Sequence, residues 1–139
     1  MTYRKDWGQP QVGGQGFFRN RKMLGRVVNI TVADNVTGNT IGAFTVPAGF
    51  TVVGIIAAST DIDTGTPAVT LSVGDAASGT RYLNASTIGQ AGTTTQTLAT
   101  TGLLFKNTVE TEILITITLQ SATPAAGTLS LYLDGFMDA

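Results

Sequence analysis

The sequence contains no cysteine and no histidine among its 139 residues. Without cysteine no disulfide can brace the fold, so burial of apolar surface must hold it. With both residue types absent, thiolate and imidazole chemistry are excluded, and with them most zinc sites and the usual catalytic triads. Charge is scarce as well: 12% of the residues are charged, against roughly 25% in an ordinary globular protein. Long apolar runs are missing. The longest, from Thr51 to Ser59, is far too short to cross a bilayer as a helix, and the polar N-terminus carries no apolar segment of the signal-peptide kind. The chain is therefore expected to be made in the cytoplasm and to have no membrane partner. The sequons that begin at Asn29, Asn35 and Asn84 carry no weight without a secretory route.

Hydroxyl takes the place of charge, with 24 threonines against six serines. Threonine is β-branched, stiff at χ1 and at home on a pleated surface. It also loses little side-chain entropy when another protein covers it. Such a surface suits a chain that packs against copies of itself or against partners.

The few charges are unevenly placed. Residues 1–26 hold six cations (Arg4, Lys5, Arg19, Arg21, Lys22 and Arg26) and one acid, a balance of +5. Residues 27–139 hold two cations and eight acids, a balance of −6. The basic segment is broken by Gly8, Pro10, Gly13, Gly14 and Gly16 and carries Tyr3, Trp7, Phe17 and Phe18. Aromatic anchors on a basic, glycine-rich segment predict an arm that docks, with Arg4, Lys5, Trp7, Phe17, Phe18, Arg19, Arg21 and Lys22 as its partner-binding residues. Two destinations stay open: a neighbouring subunit, or the arm's own domain. Nucleic acid is not expected as a partner, because the cations are few and the acidic remainder repels a polyanion.

From Arg26 the pattern turns to period two. Val28, Ile30 and Val32 alternate with polar residues, which predicts a strand with one buried face. Further strands are predicted over 41–46, 50–58 (buried on both faces), 68–73, 80–83, 98–105, 112–119 and 128–133. Pro47, Ala48 and Gly49 supply turn chemistry between the second and third. No stretch has a helical period. About eight strands in 110 residues describe an all-β chain, a β-sandwich that is jelly-roll-like, with an extended N-terminal arm. The division is an arm over 1–26 and a sandwich over 27–139.

No catalytic set emerges. Asp61, Asp63 and Gly65 resemble the opening of a calcium loop, but the closing glutamate is absent, and aspartates in turns usually accept backbone hydrogen bonds. Glu110 and Glu112 share a strand face, the arrangement a glycosidase would need, but no aromatic cleft accompanies them. Asp75 and Arg81 flank a loop and are placed to form a surface ion pair worth at most about 1 kcal/mol. The glycines at 13, 14 and 16 lack the Lys-Ser/Thr of a phosphate loop. No cofactor, metal or small-molecule ligand is expected, and the chain is not read as an enzyme.

Several stretches carry a family resemblance: Val46-Pro-Ala-Gly-Phe50, then Ala58 through Asp61, Asp63 and Gly65, then Leu71-Ser-Val-Gly-Asp75 with Arg81-Tyr82, and later Ile88 to Gly92 and Thr111 to Ile115. Together they resemble small β-sandwich structural proteins of tailed bacteriophages, the capsid decoration (cement) or head-associated proteins. The resemblance covers roughly residues 40–133 and leaves out the arm. It implies a virion protein on the head surface that binds the major capsid protein and forms a homotrimer, with no enzyme activity and no cofactor. A neck, tail or fibre component and a carbohydrate-binding adhesive module remain as alternatives.

Overall fold

The structure, a computed structural model, describes residues 21–65, 68–90, 94–95 and 97–137. Its strands are β1 (Arg21–Ile30), β2 (Thr40–Val46), β3 (Phe50–Ser59), β4 (Thr70–Gly74), β5 (Leu83–Ser86), β6 (Thr94–Thr95), β7 (Lys106–Asn107), β8 (Thr111–Leu119) and β9 (Gly127–Met137). One 3-10 turn, Val32–Asp34, follows β1. Thr31 caps it, accepting from the Asp34 amide while the Asp34 carboxylate accepts from the Thr31 amide.

Two antiparallel sheets face each other. The first has the order β1-β9-β3-β6, with β7 also paired to β3; the second has the order β2-β8-β4-β5. Along the chain β1, β3 and β9 lie in the first sheet and β2, β4 and β8 in the second. The chain thus crosses repeatedly between sheets, and the fold is the expected all-β sandwich in a jelly-roll-like order.

The core forms because alternate side chains of each strand point inward. From the first sheet come Val28, Ile30, Val52, Ile55, Ala57, Leu129, Leu131 and Leu133, and from the second Val46, Leu71, Val73, Ile113, Ile115 and Ile117, all buried. Each large aliphatic contributes about 2 kcal/mol by leaving water. Phe50 and Tyr82 are sealed at 0% exposure.

β3 departs from the expectation that both its faces are buried. Phe50, Val52, Ile55 and Ala57 are buried while Val53, Ile56 and Ala58 are only half-covered. A bulge between Val52 and Gly54 inserts one residue and flips the alternation. That inversion of phase makes a one-faced strand read as a continuous apolar run. At the corner that leads from β2 into β3, Gly49 takes φ +89°, a conformation glycine adopts without a Cβ clash.

Three other expectations shift. The sheet takes in residues 21–26, which the sequence reads as arm: Arg21 pairs with Phe136 and Arg26 with Leu131. Gly25 permits this, since a Cβ there would collide with the Leu131 carbonyl and Tyr132. The strand expected at 80–83 lies at Leu83–Ser86. The strand expected over 98–105 does not form. That stretch turns instead; Leu104 and Phe105 exchange backbone hydrogen bonds with Val52, and the strand itself begins only at Lys106.

Candidate functional site

Strand register places one end of the sandwich. Arg21 is opposite Phe136, Phe136 opposite Thr51, and Thr51 opposite Lys106. The start of β1 and the start of β7 therefore share one row across four strands, about 14 Å apart at the usual strand spacing. The β2–β3 corner and the β4–β5 loop close the same end, because Val46 pairs with Thr111 and Gly74 with Leu114.

The β4–β5 loop is held by Asp75. Its carboxylate accepts from the amides of Ala77 (3.0 Å) and Ser78 (2.8 Å) and from Arg81 Nε (2.6 Å) and Nη2 (3.3 Å). The Arg81 guanidinium lies 3.7 Å from the centre of the Phe105 ring, a stacked cation–π contact. The pair that the sequence assigns to the surface is enclosed: the side chains are 5% exposed at Asp75 and 15% at Arg81. Burial pushes the Asp75 carboxyl up, but Arg81 and the Ser78 and Ala77 amides outweigh it and hold the group below the ordinary carboxylate range. The two side chains fasten the β4–β5 loop to the turn that carries Phe105.

A groove of about 410 Å³ runs beside this clasp, with Phe105, Val109 and Leu114 among its apolar lining and Asn107, Glu110 and Glu112 among its polar groups. Asn107 Nδ2 donates to the Phe50 carbonyl (3.2 Å), and the Asn107 side chain neighbours the buried Tyr82 hydroxyl. Leu103, Leu104 and Val109 are exposed at 54%, 62% and 65%. Leu104 has φ 60°, a left-handed backbone that costs a leucine about 1–2 kcal/mol. A strained, exposed leucine is the kind of outlier found where a surface meets a partner. These three residues were missed by period reading. For Leu103 and Leu104 the signal was the unbroken apolar trio at 103–105 just after Gly102, which cannot put all its side chains inside a strand.

The expected partner-binding residues divide. Arg4, Lys5, Trp7, Phe17, Phe18 and Arg19 lie outside the described residues. Arg21 and Lys22 open β1 as exposed residues. Arg21 grips Asp134 on the neighbouring strand, Nη2 to Oδ2 at 2.6 Å and Nε to Oδ1 at 3.2 Å.

The opposite end of the sandwich is a polar knot. Asn35 Nδ2 donates to the Ile62 carbonyl (3.0 Å) and Oδ1 accepts from the Ser121 amide (3.4 Å). Asp63 accepts from the Gly65 and Val69 amides (2.9 and 2.8 Å) and the Ser121 hydroxyl (2.8 Å). The Gly65 amide foremost, then the Ser121 hydroxyl, hold the Asp63 carboxyl below its usual range. Asp61 accepts from the Asp63 amide (3.0 Å). These carboxylates join loops, and among the described residues no group of three His, Cys, Asp or Glu is placed to hold a metal ion.

No protein-family model matches the chain, and no curated protein matches it. Solved structures do match it, among them two phage capsids. A chain of the Ralstonia phage GP4 capsid shares 24% identity with a TM-score of 0.71, over 85% of this chain and 86% of that one, a likeness of fold. A chain of the cyanophage Pam1 capsid asymmetric unit shares 37% identity with a TM-score of 0.74, over 86% of each chain. With identity and fold agreeing over most of both chains, this protein belongs to the family of the cyanophage Pam1 capsid protein that it matches.

Proposed function

We propose that this chain is a capsid decoration protein of a tailed phage, which assembles with copies of itself, as a trimer, and braces the head shell by binding the major capsid protein. The observation that carries this reading is the 37% match to a chain of a capsid asymmetric unit over 86% of both chains. A protein of an asymmetric unit belongs to the repeating shell, which favours decoration over a neck, tail or fibre component. The threonine-rich, charge-poor surface and the exposed Leu103, Leu104 and Val109 support it as a surface suited to cover by protein. Many weak identical contacts sum through multivalency when copies bridge neighbouring capsomers.

The adhesive-module reading is less well served. Sugar binding needs exposed aromatic faces, but Phe50 and Tyr82 are buried and Phe44 and Phe105 pack against the core. No aromatic residue is among the strongly exposed large hydrophobics of the described residues.

In the decorated shell the arm supplies the contact to the major capsid protein, with Trp7, Phe17 and Phe18 as anchors and Arg4, Lys5, Arg19, Arg21 and Lys22 as charge partners. Cryo-electron microscopy of the intact particle tests the reading. Copies repeated at icosahedral positions are expected; a single ring at one vertex, or density on the tail alone, overturns it. For the arm, a chain lacking residues 1–20 is expected to lose binding to undecorated expanded shells, and undiminished binding removes the arm's role.

A further inference from the structure

The groove beside the Asp75–Arg81 clasp has a chemical complement elsewhere in the same chain. Its floor is apolar, from Phe105, Val109 and Leu114, and its polar residues include Glu110 and Glu112. Both glutamates are exposed, and among the described residues neither joins an ion pair. The neighbouring Asp75 is already neutralised by Arg81. An occupant that satisfies this lining is a segment with a large apolar side chain and flanking cations.

Residues 1–20 have that composition, and they precede Arg21 at the same end of the sandwich. Arg4 and Lys5 stand two and three positions before Trp7, the only tryptophan. Length selects among the anchors. Phe17 and Phe18 lie four and three residues before Arg21, and at full stretch the longer of these spans is only about 14 Å, just the distance to the Lys106 row. Trp7 lies fourteen residues before Arg21 and reaches about 45 Å at full stretch, ample for the groove. A groove of about 410 Å³ has room for an indole ring.

We propose that, in the protein before assembly, residues 4–7 of the arm dock in this groove of their own molecule, with Trp7 on Phe105, Val109 and Leu114 and with Arg4 and Lys5 facing Glu110 and Glu112. Tethering at Arg21 gives the arm an effective concentration in the millimolar range, which a second copy in dilute solution does not match. Docking covers the arm's principal apolar anchor until a partner competes for it. The inference goes beyond the decoration role and stands whether or not the arm later binds the shell.

Trp7 is its own reporter. In the isolated full-length protein its fluorescence is expected to lie to the blue of free tryptophan, to resist acrylamide quenching, and to be unchanged on dilution. The double variant Glu110→Lys/Glu112→Lys, altered only at exposed positions, is expected to move the emission to the red and raise quenching several-fold, with its far-ultraviolet circular dichroism and melting transition intact. High salt is expected to shift the wild-type protein the same way. Val109→Asp, which leaves both glutamates in place, is expected to reproduce the red shift. A wild-type emission already at the free-indole position overturns the proposal. So does a blue shift that both variants leave untouched, and a shift that disappears on dilution assigns the arm to a second copy and overturns it equally. Because no capsid is present, these outcomes are independent of the particle reconstruction.

Discussion

Asp75 and Arg81 show how context changes the worth of a pair. On an open surface two such charges contribute little; here both side chains are nearly covered, and each satisfies groups the other does not. Asp75 ties down two loop amides and Arg81 lies on Phe105. Asp75→Ala removes the acceptor for Arg81 and for both amides. It is expected to cost roughly 3 kcal/mol, the scale of stranding one partner of an enclosed pair, measured as a lowered midpoint of urea unfolding. The threonine hydroxyls act at the same scale. Thr70 and Thr118 bond to each other across β4 and β8 (2.7 Å), and Thr64 bonds to Thr123 (2.8 Å). On these strands and loops hydroxyl pairs stand where other proteins place ion pairs.

Among the elements, β1 matters most for the partner-binding segment. It is an edge strand, and the exposed Lys22 and Arg26 are charges of the sort that keep edges from pairing with other chains. Residues 21–26 supply six rungs of the β1–β9 ladder as well as the Arg21–Asp134 clasp. Truncation should therefore be sharply position-dependent. Removing residues 1–20 is expected to leave the circular dichroism spectrum and melting temperature of the sandwich essentially unchanged. Removing residues 1–26 strips more than half of β1, uncovers the flank of β9, and is expected to lower the melting temperature markedly and promote aggregation. Equal melting of the two truncations would show that the ladder beyond Arg21 contributes nothing.

For the whole molecule the absence of histidine has a direct consequence, since no side chain with an ordinary pKa changes charge between about pH 5 and 8. The shifts that bear on acid pH are in carboxylates held low: Asp34 by the Thr31 amide and hydroxyl, Asp63 by the Gly65 amide and Ser121, and Asp75, where Arg81 and two amides overcome burial. A carboxylate with a lower pKa folded than unfolded stabilises fully above its unfolded value, about 3.9. That contribution is lost as pH falls through the folded value. Stability is expected to be flat from about pH 8 to pH 5 and to fall below about pH 4, followed by thermal melts across a pH series. A fall beginning near pH 6 would contradict this linkage.

Much of the molecule was legible from period alone. Ile113, Ile115 and Ile117, and Leu129, Leu131 and Leu133, alternate without interruption and lie buried where that alternation predicts. The loop role of Asp63 was readable from turn chemistry, and a kinship with phage head proteins from strand-and-turn stretches, of which the likeness to a phage capsid chain bears out the capsid part. What remained hidden depended on residues distant in sequence. The bulge at Val53 and the extension of β1 back to Arg21 exist because β9 offers a ladder and Gly25 clears Tyr132. The enclosure of Asp75 and Arg81 requires Phe105, twenty-four residues beyond Arg81, to close over the guanidinium. Sequence by itself determined the period-two core, the charge asymmetry and the exclusion of thiol and imidazole chemistry, because these are properties of residue type and local order. Only the tertiary structure decided which charges are buried, which leucines are exposed, and that β1 begins at the end of the sandwich that carries the apolar groove, because each of these is a relation between strands that meet only when both sheets close.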